Sequence, residues 1–219
     1  MTTEEERRQQ MIRRITQTIV QNGFADLKME GIAKIMGVSR TKLYQYYSSK
    51  TAIITDVVAR YLRFMSTRPV PEAANPESSI KDFPEVILNL ANLIASSSQK
   101  FRRDLVQADE ELSEKFEESY ANWCQQVQAF LTNGVSNGAF NKSLKPEIFL
   151  VQMEATVDAM MQPQVLTQHK VIIQNVLNDY LQMLVSQVVA PKYQSQINLD
   201  DVEKQLQHLT LKYQQTLTK

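Results

Sequence analysis

An all-α fold is what this chain of 219 residues predicts, a small helix-turn-helix domain followed by a larger helical bundle. Three observations carry that reading. Apolar residues recur at three- and four-residue spacing almost throughout, which is the period of a helix with one buried face. Only five glycines interrupt the pattern. No segment sustains the period-two alternation of a half-buried strand.

The first helix spans about 5–22, with Met11, Ile12, Ile15, Ile19 and Val20 on one face and Asn22-Gly23 as its stop. A short helix over 29–36 turns Met29, Ile32, Ala33 and Met36 inward. Gly37-Val38 makes a tight turn, and Ser39 is a natural N-cap for a helix through Tyr46, because its hydroxyl accepts an early backbone N–H. Ser48 and Ser49 open a longer helix to about Met65. The stretch 66–79 holds three prolines among small polar residues and reads as a loop. Helical patterns resume over 80–99, 100–108 and 110–136, with Gly134 and Gly138 punctuating the last. Lys145-Pro146 begins a helix to about Gln162, where Pro163 ends it. Another follows over 167–189, closed by Pro191, and an amphipathic stretch over 199–217 spaces Leu199, Val202, Leu206, Leu209 and Tyr213 by three and four. The domains expected are therefore 1–65 and 66–219.

Composition narrows the setting. A single cysteine, Cys124, excludes an intrachain disulfide framework and fits a reducing, cytoplasmic environment. No stretch approaches the roughly 20 apolar residues of a membrane span, and MTTEEERRQQ lacks the apolar run of a secretory signal, so no membrane partner is expected. The formal net charge of zero conceals an asymmetry. Residues 1–65 carry eleven Lys or Arg against six Asp or Glu, and the remainder carries the opposite excess. A basic end on an acidic body is the distribution expected when one part of a protein meets a polyanion.

Residues 29–47, MEGIAKIMGVSRTKLYQYY, hold the strongest signal. Two short helices joined by a glycine turn are what a helix-turn-helix requires, with Ile32, Ala33, Val38 and Leu43 locking the crossing and Ala33 small enough for close approach. The second helix then offers Arg40, Thr41, Lys42, Tyr44, Gln45 and Tyr46 on its open face. Arg or Lys suits guanine, Gln suits adenine, and Thr suits the thymine methyl. Ser39 caps that helix, while Tyr44 and Lys50 are placed for phosphates.

At these residues the chain resembles the tetracycline-repressor (TetR) family of bacterial regulators. The resemblance runs through the first 65 residues: an Ile-rich opening helix, Gly23-Phe24, Ile32-Ala33, Gly37-Val38-Ser39, Leu43-Tyr44, an aromatic at Tyr47, and Lys50. It implies a cytoplasmic homodimer on double-stranded palindromic operator DNA, usually a repressor released by a small molecule. Two positions depart from the family's pattern. Lys28 stands where a capping Thr is usual and cannot cap, though it can reach a phosphate. Thr41 stands where a small residue is common and adds a base contact.

The bundle carries weaker signals. Phe116, Tyr120, Trp123, Cys124, Val127, Phe130 and Leu131 recur at helical spacing, as do Met153, Val157, Met160 and Met161. Core packing accounts for such stripes, yet aromatic and methionine side chains also make an adaptable apolar lining. Phe116, Tyr120, Trp123, Cys124, Met160 and Met161 are thus the expected pocket for a small hydrophobic effector. On the helix over 167–189, Val171, Val176, Leu177, Tyr180, Leu181 and Leu184 give more apolar width than a surface stripe needs, so this is the expected dimer surface. The resemblance places the dimer seam on the last two bundle helices as well. The acidic run 109–118 reads as a solvated face, and His169 and His208 fit no metal-ligand spacing. No nucleophile elbow, Walker A, Rossmann or zincin motif is present, so no enzyme, cofactor or metal is expected. The alternative is a helix-turn-helix regulator whose body binds a protein partner instead of a small molecule.

Overall fold

The computed structural model describes residues 3–200, 202–207 and 210. Among them the chain forms α1 (Glu4–Asn22), α2 (Met29–Met36), α3 (Arg40–Tyr46), α4 (Lys50–Thr67), α5 (Pro76–Ala95), α6 (Gln99–Ala108), α7 (Glu110–Ser136), α8 (Pro146–Met160), α9 (Pro163–Gln168) and α10 (Ile173–Val188). A 3-10 helix, Pro191–Gln196, follows. The one β pairing among the described residues is an isolated antiparallel bridge between Phe140 and Val189. The all-α expectation holds.

These helices gather into two compact units. One comprises Met1–Arg68 and Ser96–Tyr120, the other Pro69–Ala95 and Ala121–Lys219. The first unit therefore takes in α6 and the start of α7 along with the four N-terminal helices. A capping box starts α1: Glu6 N–H donates to Thr3 Oγ1 at 3.2 Å and Thr3 N–H to Glu6 Oε2 at 2.7 Å. Met11, Ile12, Ile15, Ile19 and Val20 are buried along one face of it, as their spacing predicts, against α2, α4 and α6. Ser98 opens α6 by accepting from Phe101 N–H, and its own N–H reaches Val20 O at 3.2 Å. Phe24, Phe101, Phe116 and Tyr61 then form a chain of ring contacts at 5.7–6.5 Å between centroids.

In the second unit, Phe140 packs against Phe83 and Phe130, each 5.5 Å away by ring centroid. Gly134 makes room for that ring: a Cβ at this position would clash with Phe140 Cδ2. The glycine read as punctuation is thus a packing residue inside α7. Asn137 holds the neighbouring loop, its amide donating to Ala73 O and Ser79 Oγ at 2.9 and 3.0 Å.

Three element boundaries differ from those expected. The loop ends at 75, because Asn75 caps α5 by accepting Ser78 N–H at 2.9 Å and Pro76 is pre-set for a first helical position. Pro163 begins the short helix α9 for the same reason. That helix closes with Val171 N–H on Leu166 O and with Lys170 in the left-handed region, so α10 starts at Ile173 and not near 167. Of the C-terminal stretch, residues 202–207 are helical and Val202 is buried; Leu209 and Tyr213 lie outside the described residues. No helix among the described residues is long and apolar enough to cross a membrane.

Two core tyrosines make stability depend on alkali. Burial pushes the Tyr61 hydroxyl up to about 12, and burial also raises Tyr180. A folded-state value above the unfolded one means the proton is held more tightly in the native chain. The associated stability is complete below about pH 10 and is lost as pH rises through the folded value. Urea unfolding at pH 8 and pH 11 checks this: the midpoint should fall at pH 11, and by less in Tyr61→Phe.

Candidate nucleic-acid interface

Helices α2 and α3 meet over Ile32, Ala33, Met36 and Leu43, all buried, with Val38 half-buried between them. Gly37 ends α2 in the left-handed conformation (φ +71°, ψ +37°), which a side chain would disfavour, and Val38 N–H closes back onto Ala33 O at 3.0 Å. Arg14, from α1, donates to Met36 O at 2.8 Å and so pins the same turn from outside. Ser39 caps α3 by accepting Lys42 N–H at 3.1 Å. Lys28 makes no side-chain cap at α2.

The open side of α3 presents Arg40, Thr41, Tyr44 and Gln45, with Lys42 and Tyr46 half-buried beside them. These side chains are paired along the helix. The Arg40 guanidinium lies 5.7 Å from the Tyr44 ring centroid and Lys42 Nζ 5.1 Å from that of Tyr46. Lys42 Nζ also donates to Gln45 Oε1 at 3.0 Å. Such pairing limits the rotamers open to these side chains.

Lys50, expected to hold a phosphate, is occupied within the chain. Its ammonium donates to Phe24 O at 3.1 Å and Ala25 O at 2.9 Å, the carbonyls of the turn between α1 and α2. The N–H groups of the same two residues donate to Asp104 Oδ2, the second at 2.8 Å. Asp104 is buried on α6. The turn is therefore gripped on both edges, by an anion from α6 and by a cation at the start of α4.

A second network holds the far end of α3. Arg8 pairs one edge of its guanidinium, Nε and Nη2, with the two oxygens of Asp56 at 2.7 and 2.9 Å, and Tyr47 O–H donates to Asp56 Oδ2 at 2.8 Å. Tyr47 closes α3, Asp56 lies on α4 and Arg8 on α1, so three helices converge on one carboxylate. Burial and the Asp56 hydrogen bond both raise the Tyr47 hydroxyl well above the usual phenol range, so it stays a donor at neutral pH. Sequence reading singled out the Tyr47 ring, and missed Arg8, Asp56 and Asp104.

The expected effector residues divide between the units. Phe116 and Tyr120 belong to the first, where their rings stack at 6.3 Å; Trp123, Cys124, Met160 and Met161 belong to the second. Of the expected dimer residues, Leu177, Tyr180, Leu181 and Leu184 are buried within the chain, Val176 is half-buried and Val171 is exposed. The apolar width of α10 reflects its place in the chain's own core. Ile148, Val151 and Met183 are instead about two-thirds exposed. Met183 lines an open groove of about 560 Å³ together with Gln152, Tyr180, Gln182, Ser186 and Gln187. No cluster of three metal-ligating side chains occurs among the described residues.

Comparison with known proteins agrees with this geometry. Residues 12–57 match the family model described as bacterial regulatory proteins, tetR family. The chain is 27% identical over 138 residues to the HTH-type transcriptional regulator YdeS of Bacillus subtilis, covering 59% of this chain and 65% of that protein. It is 22% identical over 180 residues to the fatty acid metabolism regulator protein of the same organism, covering 81% of this chain and 93% of that one. Among solved structures, a transcriptional regulator from Saccharomonospora viridis in complex with choline superposes with a TM-score of 0.55 at 16% identity, over 85% of this chain and all of that one. The fatty acid degradation regulator FadR of Bacillus halodurans gives 0.50 at 20% identity, over 83% and 96%.

The double grip on the 24–25 turn can be tested by unfolding. Asp104→Ala leaves two backbone donors without their acceptor and should cost roughly 2–3 kcal/mol in urea titrations. Asp104→Asn keeps a carbonyl oxygen in place and should cost less. Equal stability of wild type and both variants would contradict the grip.

Proposed function

We propose that this chain, whose residues 12–57 match the tetR family of bacterial regulatory proteins, is a homodimeric TetR-like repressor of a palindromic operator, released by a small hydrophobic ligand. The observation that carries the reading is the open face of α3, a short, capped helix held at both ends and lined with groove-reading side chains. Arg40, Thr41, Lys42 and Gln45 read bases, and Tyr44, Tyr46 and Lys28 hold the backbone alongside Ser39 at the helix start. Lys50 serves chiefly to set the turn that carries α2. It retains one ammonium proton for a phosphate.

The dimer uses the outer faces of α8 and α10. Gln152 and Gln187 exchange amide hydrogen bonds at 2.8 and 3.0 Å, which places the two helix faces side by side. Ile148 and Met183 lie one helical turn before those glutamines, with Val151 adjacent, and all three are exposed apolar side chains. Two copies joined there would present paired α3 helices to half-sites about one DNA turn, roughly 34–36 Å, apart. The effector acts by preferring the conformation whose α3 helices are wrongly spaced, and linkage then requires operator DNA to weaken effector binding by the same factor. The fatty acid metabolism relative favours an amphipathic ligand with an apolar body.

Binding titrations over a range of salt concentrations separate the roles of the α3 side chains. Arg40→Ala or Gln45→Ala should relax preference at particular base pairs, costing about 1–3 kcal/mol where a bidentate contact is lost. Lys28→Ala should weaken all DNA alike and flatten the salt slope by about one unit. Uniform loss on every sequence from all these changes would refute base reading by α3.

Sedimentation distinguishes the exposed seam from the buried core. Met183→Glu or Val151→Glu should yield folded monomers that bind operator weakly. Leu181→Ala should instead destabilise the fold, by about 2–5 kcal/mol. A wild-type chain that sediments as a monomer at micromolar concentration would rule out the dimer.

A further inference from the structure

Arg102 is held in an unusual way on α6. Its guanidinium carbon lies 4.1 Å from the Tyr120 ring centroid and 5.9 Å from that of Phe116, a geometry of cation–π stacking. Nη1 faces Glu117 Oε2 at a loose 3.4 Å, and the Glu117 side chain is 42% exposed. Nε and Nη2 are withdrawn from solvent and have no hydrogen-bond partner among the described residues. Those two nitrogens carry the parallel N–H bonds along one edge of a guanidinium. That edge is the one that matches the two oxygens of a carboxylate.

Leaving two donors of a charged group buried and unpaired is costly, and native proteins rarely do so without a reason. Two aromatic rings fix the plane of the fork, Glu117 restrains its far corner, and the free edge is the bidentate one. We propose that Arg102 anchors the carboxylate of an amphipathic effector whose apolar body packs against aromatic side chains. The claim deepens the effector reading given above and rests on it. A planar monoanion suits the site better than a phosphate dianion, because Glu117 against the guanidinium opposes added negative charge and, among the described residues, no second cation pairs with the fork. Arg102 also stands two residues before Asp104, whose carboxylate grips the 24–25 turn. A carboxylate drawn onto the fork thus pulls on the helix that positions the DNA-reading end.

Calorimetric titration of the full chain with decanoate and 1-naphthoate, each beside its neutral amide, tests the anchor. The acid should bind wild type at least about tenfold more tightly than the amide, the ordinary worth of a charge-assisted hydrogen-bond pair. Arg102→Met, which keeps a long apolar side chain on the rings, should abolish that preference while leaving the weak amide binding. Arg102→Lys keeps the charge without the fork and should lose most of it, and Glu117→Gln should increase it. Circular dichroism melting establishes that each variant is folded. Equal binding of acid and amide to wild type, no binding of either acid, or a preference that survives in Arg102→Met would overturn the proposal. Tighter binding of decyl phosphate than of decanoate would overturn the choice of a carboxylate. Operator titrations in the same samples keep the two levels apart. An Arg102-dependent acid preference without operator release supports the anchor and refutes its regulatory use. Operator release by a neutral compound, unaffected by Arg102→Met, refutes the anchor and leaves the effector reading standing.

Discussion

One short turn carries the mechanical burden of this fold. Residues Phe24 and Ala25 offer two N–H groups to Asp104 and two carbonyls to Lys50, so every strong polar group of that peptide pair is held by an opposite charge. Asp104 comes from α6 and Lys50 from the residue that begins α4. Moving either helix without the other would break charge-assisted hydrogen bonds beside the buried Phe24 side chain. The position of α2, which follows directly from the turn, and of α3, which directly precedes α4, depends on that grip. The Arg8–Asp56–Tyr47 network performs the same task at the opposite end of α3.

This arrangement explains how a seven-residue helix can be held in a fixed position. A helix that short is marginal alone, since nucleation consumes most of what its few hydrogen bonds return. Ser39 supplies one end, Tyr47 and Asp56 the other, and Leu43 the buried middle. Its solvent face is left free of structural duty. The paired stacks Arg40–Tyr44 and Lys42–Tyr46 then restrain the cations on that face.

What the sequence made legible follows from how local each cause is. The Gly37 turn, the Ser39 cap and the inward Ile32, Ala33 and Leu43 act within a few residues of one another, and each is where its spacing places it. Phe24 and Asp104 meet across 80 residues, and no local pattern marks a buried aspartate on an amphipathic helix. Lys50 illustrates the complementary difficulty. A lysine at a helix start beside a helix-turn-helix motif points to phosphate, yet the carbonyls of Phe24 and Ala25 accept its ammonium protons. On α10 the apolar stripe was visible, but one chain cannot reveal from composition which side faces its own core and which is open. Leu181 and Leu184 turn inward, whereas Met183 between them turns out.

In the proposed function, α3 reads a duplex sequence from two symmetry-related copies. Selection of bound fragments from a random duplex pool by the full chain addresses it most directly. A palindromic motif should be enriched, its half-sites centred about one helical turn apart. Enrichment of a single unrepeated half-site, or retention of fragments with no common sequence, would contradict it.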